Sequence, residues 1–224
     1  MKRETLQKIF DVLLHGLARL EFCGADNIPN QGGVLITTNH MSRIDTLLLF
    51  LTPTRKDITA LVADKYKKYP VFNWILDTGG IIWLDRDKAD FGAFRVATEW
   101  LKAGVALGIA PEGTRSMTGQ LLEGKPGTVL LAMKANVPIV PVAIAGTESF
   151  LHDLTRLRRP KVTLTFGRAY TMPPMDRDHR DEWMQKMTDE IMCRIAVLLP
   201  PRYWGFYKDH PLLMEMLAHK EQYV

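Results

Sequence analysis

Apolar residues near the start of the chain recur at helical spacing: Leu6, Ile9, Phe10, Leu13, Leu14, Leu17 and Leu20 fall at i, i+3, i+4, i+7, i+8, i+11 and i+14. The spacing predicts an amphipathic helix over residues 1–22, with Lys2, Arg3, Lys8, Asp11 and Arg19 off the stripe. Beyond it the period changes. The runs V-L-I-T-T (34–38), T-A-L-V-A (59–63), G-I-I-W-L (80–84), V-A-L-G-I-A (105–110), P-I-V-P-V-A-I (138–144) and V-T-L-T-F (162–166) are bounded by Gly, Pro or Asn and read as strands. Between them, residues 43–51, 69–76, 91–102 and 127–134 read as helices, and a long helix follows from about Arg180 to Leu199. Several strands are apolar on both faces, as strands buried under helix crossovers are. The expected class is α/β: one domain over 23–224, with a mixed, largely parallel sheet flanked by helices and the amphipathic helix in front. Pro141 lacks an N–H and points to an edge strand or a bulge. The polar stretch 172–182 is a loop into the last helix.

Composition narrows the class. At 224 residues, 46% hydrophobic and 24% charged, the chain is globular and of single-domain size. No apolar run approaches the ~18 residues that span a bilayer. An unbroken apolar block with a small-residue cleavage site is also missing, so the first helix is not a secretory signal. The helix stripe has two readings, packing on the core or lying in a membrane interface. Cys23 and Cys193 form no disulfide framework and lack metal-site spacing; both read as buried small hydrophobes in a reducing compartment.

Lys plus Arg number 29 against 25 Asp plus Glu, a balance of +4 that favours anionic partners. The cations cluster in R-K-D (55–57), D-K-Y-K-K-Y (64–69) and R-L-R-R-P-K (156–161), runs that usually form solvated loops. No nucleic-acid-binding motif accompanies them, so a nucleic acid partner is not expected.

The most informative stretch is T-N-H-M-S-R-I-D (38–45). A strand ending near Asn39 leaves His40 on the following loop, and Ser42 and Asp45 have capping-box spacing at the start of the next helix. A carboxylate in a first helical turn can also hold one imidazole nitrogen and leave the other as a base, chemistry suited to neutral pH. His40 and Asp45 are thus candidates for a base and its orienter. The three serines, Ser42, Ser116 and Ser149, stand outside any G-x-S-x-G elbow. No H-E-x-x-H or clustered ligand set suggests a metal, and D-R-D-H-R-D (176–181) reads as a solvated helix start. The base is therefore expected to activate a hydroxyl of the substrate directly. A second stretch, P-E-G-T-R-S (111–116), follows a strand, where α/β proteins collect ligands. Gly113 permits a tight turn and Arg115 could hold a phosphate, or the stretch could be an exposed turn. Arg86 follows another strand and would meet Arg115 if the two strands are neighbours.

In that order, N-H-M-S-R-I-D, G-I-I-W-L-D-R, P-E-G-T-R-S and V-P-I-V-P-V-A-I resemble the four blocks of the glycerolipid acyltransferase family, the lysophosphatidic acid acyltransferases (PlsC-like). The resemblance runs from about Asn27 through Gly146, with G-K-P-G-T-V-L-L-A and I-A-V-L-L-P in keeping. It implies that His40, oriented by Asp45, deprotonates an acceptor hydroxyl as it attacks an acyl thioester. It further implies that Arg86, Glu112, Gly113, Thr114, Arg115 and, more loosely placed, Lys125 bind the acceptor's phosphate and shape the site. The implied reaction moves a fatty acyl chain from acyl-CoA or acyl carrier protein to the sn-2 hydroxyl of lysophosphatidic acid, giving phosphatidic acid, without metal or other cofactor. Another acceptor, a thioester hydrolase or a non-catalytic lipid-binding protein are the alternatives. An enzyme drawing a lipid acceptor from a bilayer is expected at an anionic membrane surface, on its cytoplasmic face, peripheral or monotopic. With the resemblance, the interfacial reading of the first helix takes precedence.

Overall fold

A computed structural model describes residues 2–85 and 90–224. Helix α1 (Arg3–Leu17) leads into β1 (Arg19–Cys23), and β2 (Val34–Thr38) is followed by α2 (Asp45–Phe50) and β3 (Thr59–Ala63). Then come α3 (Pro70–Thr78), β4 (Ile82–Leu84), α4 (Phe91–Lys102), β5 (Ala106–Ile109), α5 (Gly127–Ala135) and β6 (Ile139–Ala145). The chain finishes with α6 (Phe150–Thr155), β7 (Lys161–Phe166), α7 (Arg180–Ala196) and α8 (Pro211–Ala218).

The strands form one sheet of order β1-β7-β6-β2-β5-β3-β4. Every neighbouring pair is parallel except β6 and β7. Alternation of side chains across the pleat splits the core in two. Leu35, Leu107, Ile139 and Ala143 face α4, α5 and α7, whereas Val34, Ile36, Val140, Val142 and Ile144 face the layer that contains α2 and α6. With both faces covered, β2 is buried at all five positions, and this is why its sequence shows no polar alternation.

Two expectations need correction, and of the two readings of Pro141 the bulge holds and the edge strand does not. The first helix ends at Leu17, and Arg19–Cys23, with Leu20 in it, is instead an edge strand paired to β7. Cys23 is exposed on that edge, whereas Cys193 is buried as expected. Pro141 lies in an interior strand, because β6 has β2 on one side and β7 on the other. Its carbonyl accepts from Gly167 N at 2.8 Å, one residue past the end of β7, and the next pairing is Ile139 with Tyr170. Arg168 and Ala169 thus face Val140 alone in a bulge, and the missing N–H of Pro141 falls where regular pairing stops.

The basic runs also separate. Arg55 is only 5% exposed: it donates to the carbonyls of Pro29, Gly32 and Gly104 and forks onto Asp57 at 2.6 and 2.7 Å. It ties together the turns that lead into β2, β3 and β5. Hydrogen bonding from Arg55 holds the Asp57 carboxyl below its ordinary range against the opposing effect of burial.

Candidate active site

The site grows from the carboxyl end of β2. Asn39, buried, extends the pairing with β6 through its side chain: its amide donates to Ile144 O and accepts from Ile144 N, both at 2.8 Å. His40 follows directly, its Nδ1 at 2.9 Å from Asp45 Oδ2. The same oxygen accepts from the backbone N–H groups of Met41 and Ser42 at 2.7 Å. Asp45 therefore caps the turn before α2 and holds the imidazole with one atom. The Ser42 N–H bond is half of the expected capping box; α2 itself begins at Asp45, two residues later than Arg43. Side-chain exposure is 19% for His40 and 2% for Asp45.

With Nδ1 held against Asp45, Nε2 is the other ring nitrogen, and no hydroxyl or thiol among the described residues hydrogen-bonds it. His179 pairs with Asp176 at 3.1 Å on the surface, and no cluster of metal-ligating side chains occurs among the described residues.

The P-E-G-T-R-S loop, after β5, clasps the His40 backbone from both sides. Glu112 Oε1 accepts from His40 N at 2.9 Å, and His40 O accepts from Ser116 N at 2.8 Å. Glu112 Oε2 accepts from Leu122 N at 3.0 Å. Glu112 is buried and turned inward, so its visible work is to lock the two loops together. Burial, assisted by the nearby Asp45 charge, pushes its carboxyl up to about 7, although the two backbone N–H groups oppose the shift. Gly113 has φ +68°, which favours glycine, and a Cβ there would come 3.0 Å from the Lys125 side chain.

A cleft of about 500 Å³ opens above His40 and Asp45 at the carboxyl ends of β2, β3, β4 and β5. Leu49, Leu61, Leu84, Phe94 and Ile109 supply an apolar wall; Gly113, Thr114, Lys65 and Lys125 also line it, with the first turn of α5. The structure brings His40, Asp45, Gly113, Thr114 and Lys125 to this one cavity. Arg115 stands half-buried outside the wall, its Nη2 3.7 Å from Met117 Sδ. Arg86 lies outside the described residues, and the strands before Arg86 and Arg115 are not neighbours, since β3 separates β4 from β5.

Several contributors are absent from the motif reading. Lys65 comes from the D-K-Y-K-K-Y run, whose charge was visible but whose position was not. Asn39 and Ser116 act as positioning groups within the motifs. The segment after α7 is a further surprise: Tyr207 Oη accepts from Gly124 N at 3.0 Å, and Tyr203 O accepts from Leu121 N at 2.8 Å. These bonds hold the loop that ends at Lys125 from a point some eighty residues along the chain.

Fold and site together define an α/β protein with a carboxylate-oriented histidine at the carboxyl ends of its central strands. The family model described as Acyltransferase matches residues 19–145. The chain belongs to the acyltransferase family. A curated relative named 1-acyl-sn-glycerol-3-phosphate acyltransferase, from Saccharomyces cerevisiae, is 32% identical over 181 residues, 75% of this chain and 57% of the relative. One of the same name from Borreliella burgdorferi is 30% identical over 129 residues, 57% of this chain and 51% of the relative. The chain thus spans about half the length of these curated relatives. The crystal structure of the 1-acyl-sn-glycerophosphate (LPA) acyltransferase PlsC from Thermotoga maritima shares the fold, with a TM-score of 0.62 and 24% identity over 84% of this chain and 77% of that one.

Proposed function

We propose that this protein transfers a fatty acyl chain from acyl-CoA or acyl carrier protein to the sn-2 hydroxyl of lysophosphatidic acid, forming phosphatidic acid. The observation that carries the reading is the His40–Asp45 pair, 2.9 Å apart, at the base of a cleft with an apolar wall and two lysines. The names of the relatives supply the acceptor, and all the reactants carry phosphate, which suits Lys65 and Lys125.

His40 Nε2 takes the proton of the acceptor hydroxyl while the oxygen attacks the thioester carbonyl. A C–O bond forms, and the imidazolium is held by the Asp45 carboxylate. Collapse of the tetrahedral adduct breaks the C–S bond, the electron pair leaves on sulfur, and the Nε2 proton passes to the thiolate. Ester and free thiol are the products, and the histidine returns to its starting state. Transfer is direct, in keeping with an imidazole to which no hydroxyl or thiol among the described residues is hydrogen-bonded.

The acceptor is drawn from an anionic membrane, at its cytoplasmic face. No described helix is long and apolar enough to cross a bilayer. Helix α1 buries Leu6 and Leu14 against the domain yet exposes Ile9, Val12 and Leu13 along the flank beside them, a ridge suited to an interface.

The test is thiol release from a long-chain acyl-CoA on lipid vesicles, with and without lysophosphatidic acid, for the wild type and His40→Ala. Release that needs the acceptor and disappears in the variant is expected. Release without acceptor would make the protein a thioester hydrolase, and undiminished transfer by His40→Ala would refute the base.

A further inference from the structure

The connection from β6 to β7 carries R-L-R-R at 156–159. Helix α6 ends there with Arg158 N bonded to Asp153 O at 2.9 Å and Leu157 N to Leu154 O at 3.0 Å, and Leu157 has φ +54°. A left-handed residue at such a helix end is ordinarily Gly or Asn, because a Cβ is disfavoured in that conformation. Leu157 is also 97% exposed, so its side chain gains no burial within the domain. Neither backbone preference nor packing explains a leucine at this point.

Its surroundings are basic. Arg156 and Arg158 are exposed, and their side chains have no hydrogen bond or ion pair among the described residues. Arg159 donates to His15 O at 2.6 Å and Ala18 O at 3.2 Å, which fastens the turn to the end of α1. Leu151, on α6, is exposed as well. The nearest acid in the sequence, Asp153, accepts from Ser149 Oγ at 2.8 Å and is three-quarters buried. Strand directions then place the turn: it leaves the carboxyl end of β6, which runs parallel to β2, so it lies at the same edge of the sheet as His40.

We propose that the turn 156–159 is a membrane-inserting tip. Leu157 enters the interfacial layer of an anionic bilayer while Arg156 and Arg158 meet lipid phosphates, turning the cleft edge toward the surface. The charge of the turn and its attachment to α1 favour this occupant over a second protein. The inference rests on the reading that the acceptor is drawn from a bilayer.

The full chain is tested by co-sedimentation with phosphatidylcholine vesicles with and without phosphatidylglycerol, together with thermal unfolding. Leu157→Gly is expected to raise the unfolding midpoint, since the strained backbone is relieved, and to weaken binding to anionic vesicles about tenfold. Turnover of a short-chain, monomerically dispersed lysophosphatidic acid should be unchanged. Arg156→Gln with Arg158→Gln should lower binding several-fold and flatten its salt dependence. Wild-type binding by Leu157→Gly would overturn the tip, as would equal affinity of the wild type for zwitterionic and anionic vesicles. A change of oligomeric state with vesicle binding intact would make the turn a protein contact and also overturn it. Normal vesicle behaviour from a wild type that acylates no lysophosphatidic acid would sink the proposed reaction while supporting the tip.

Discussion

Replacing Asp45 by Asn separates two things the carboxylate does. Oδ2 accepts three hydrogen bonds, from His40 Nδ1, Met41 N and Ser42 N, while Oδ1 is buried with no partner. Three donors converging on one atom hold the amide oxygen of the variant at that position and preserve the imidazole tautomer. The NH₂ group then occupies the Oδ1 site as a buried donor without an acceptor, a cost of ~1–3 kcal/mol in stability. The negative charge is lost. It matters only after the proton has moved, when a hydrogen bond to a charged group is worth ~1.5–3 kcal/mol, so kcat should fall on the order of 10- to 150-fold. KM should change little, because the neutral imidazole of the resting state keeps its hydrogen bond. Asp45→Ala leaves all three donors unpaired and should lose more of both activity and stability. Steady-state acyl transfer and urea unfolding on the two variants decide the matter. Turnover by Asp45→Asn within about twofold of wild type would refute the imidazolium argument, whatever happens to stability.

Glu112 should make stability depend on pH. Its folded pKa of about 7 exceeds the ordinary 4.5, so the folded state holds the proton more tightly and stability falls as pH rises from about 4.5 to 7, then levels. Full linkage is on the order of 3 kcal/mol, and urea midpoints across this range should show a slope that Glu112→Gln removes. Tyr207→Phe leaves Gly124 N without its acceptor; unfolding should show a loss of ~1–3 kcal/mol, and kinetics a raised acceptor KM through the adjoining Lys125. Arg55→Met strands three backbone carbonyls and Asp57, and should cost ~3–5 kcal/mol by chemical denaturation. Its kcat should survive at low temperature, because Arg55 sits at the amino ends of the strands, opposite the cleft.

Much of this protein is local and therefore legible. Helix α4 follows from its own 3.6-residue period and coincides with residues 91–102. Continuous β-branched and apolar runs marked β2 and β6 as strands. The approach of His40 and Asp45 was also readable, since one strand end and one helical turn, five residues apart, are enough to bring them together. R-L-E-F-C was harder, because an edge strand exposed at alternate positions can continue a helical stripe by accident. The short helix α6 and α8 were likewise too brief or too uniformly apolar to announce themselves.

Local sequence signals were thus enough for the α/β class, most of the elements, the pairing of His40 with Asp45, and a family resemblance carried by four ordered motifs. Only the tertiary structure decided that β6 is interior and that Glu112 looks inward. It also decided that Arg55 is a buried tie, that Lys65 reaches the cleft, and that Tyr207 supports the loop of Lys125. The reason is physical: period, capping and propensity act over a few residues, whereas strand order and burial depend on which distant segments share a face. A carboxylate reads the same in sequence whether it meets a ligand or two backbone N–H groups, and only its neighbours in space distinguish the two.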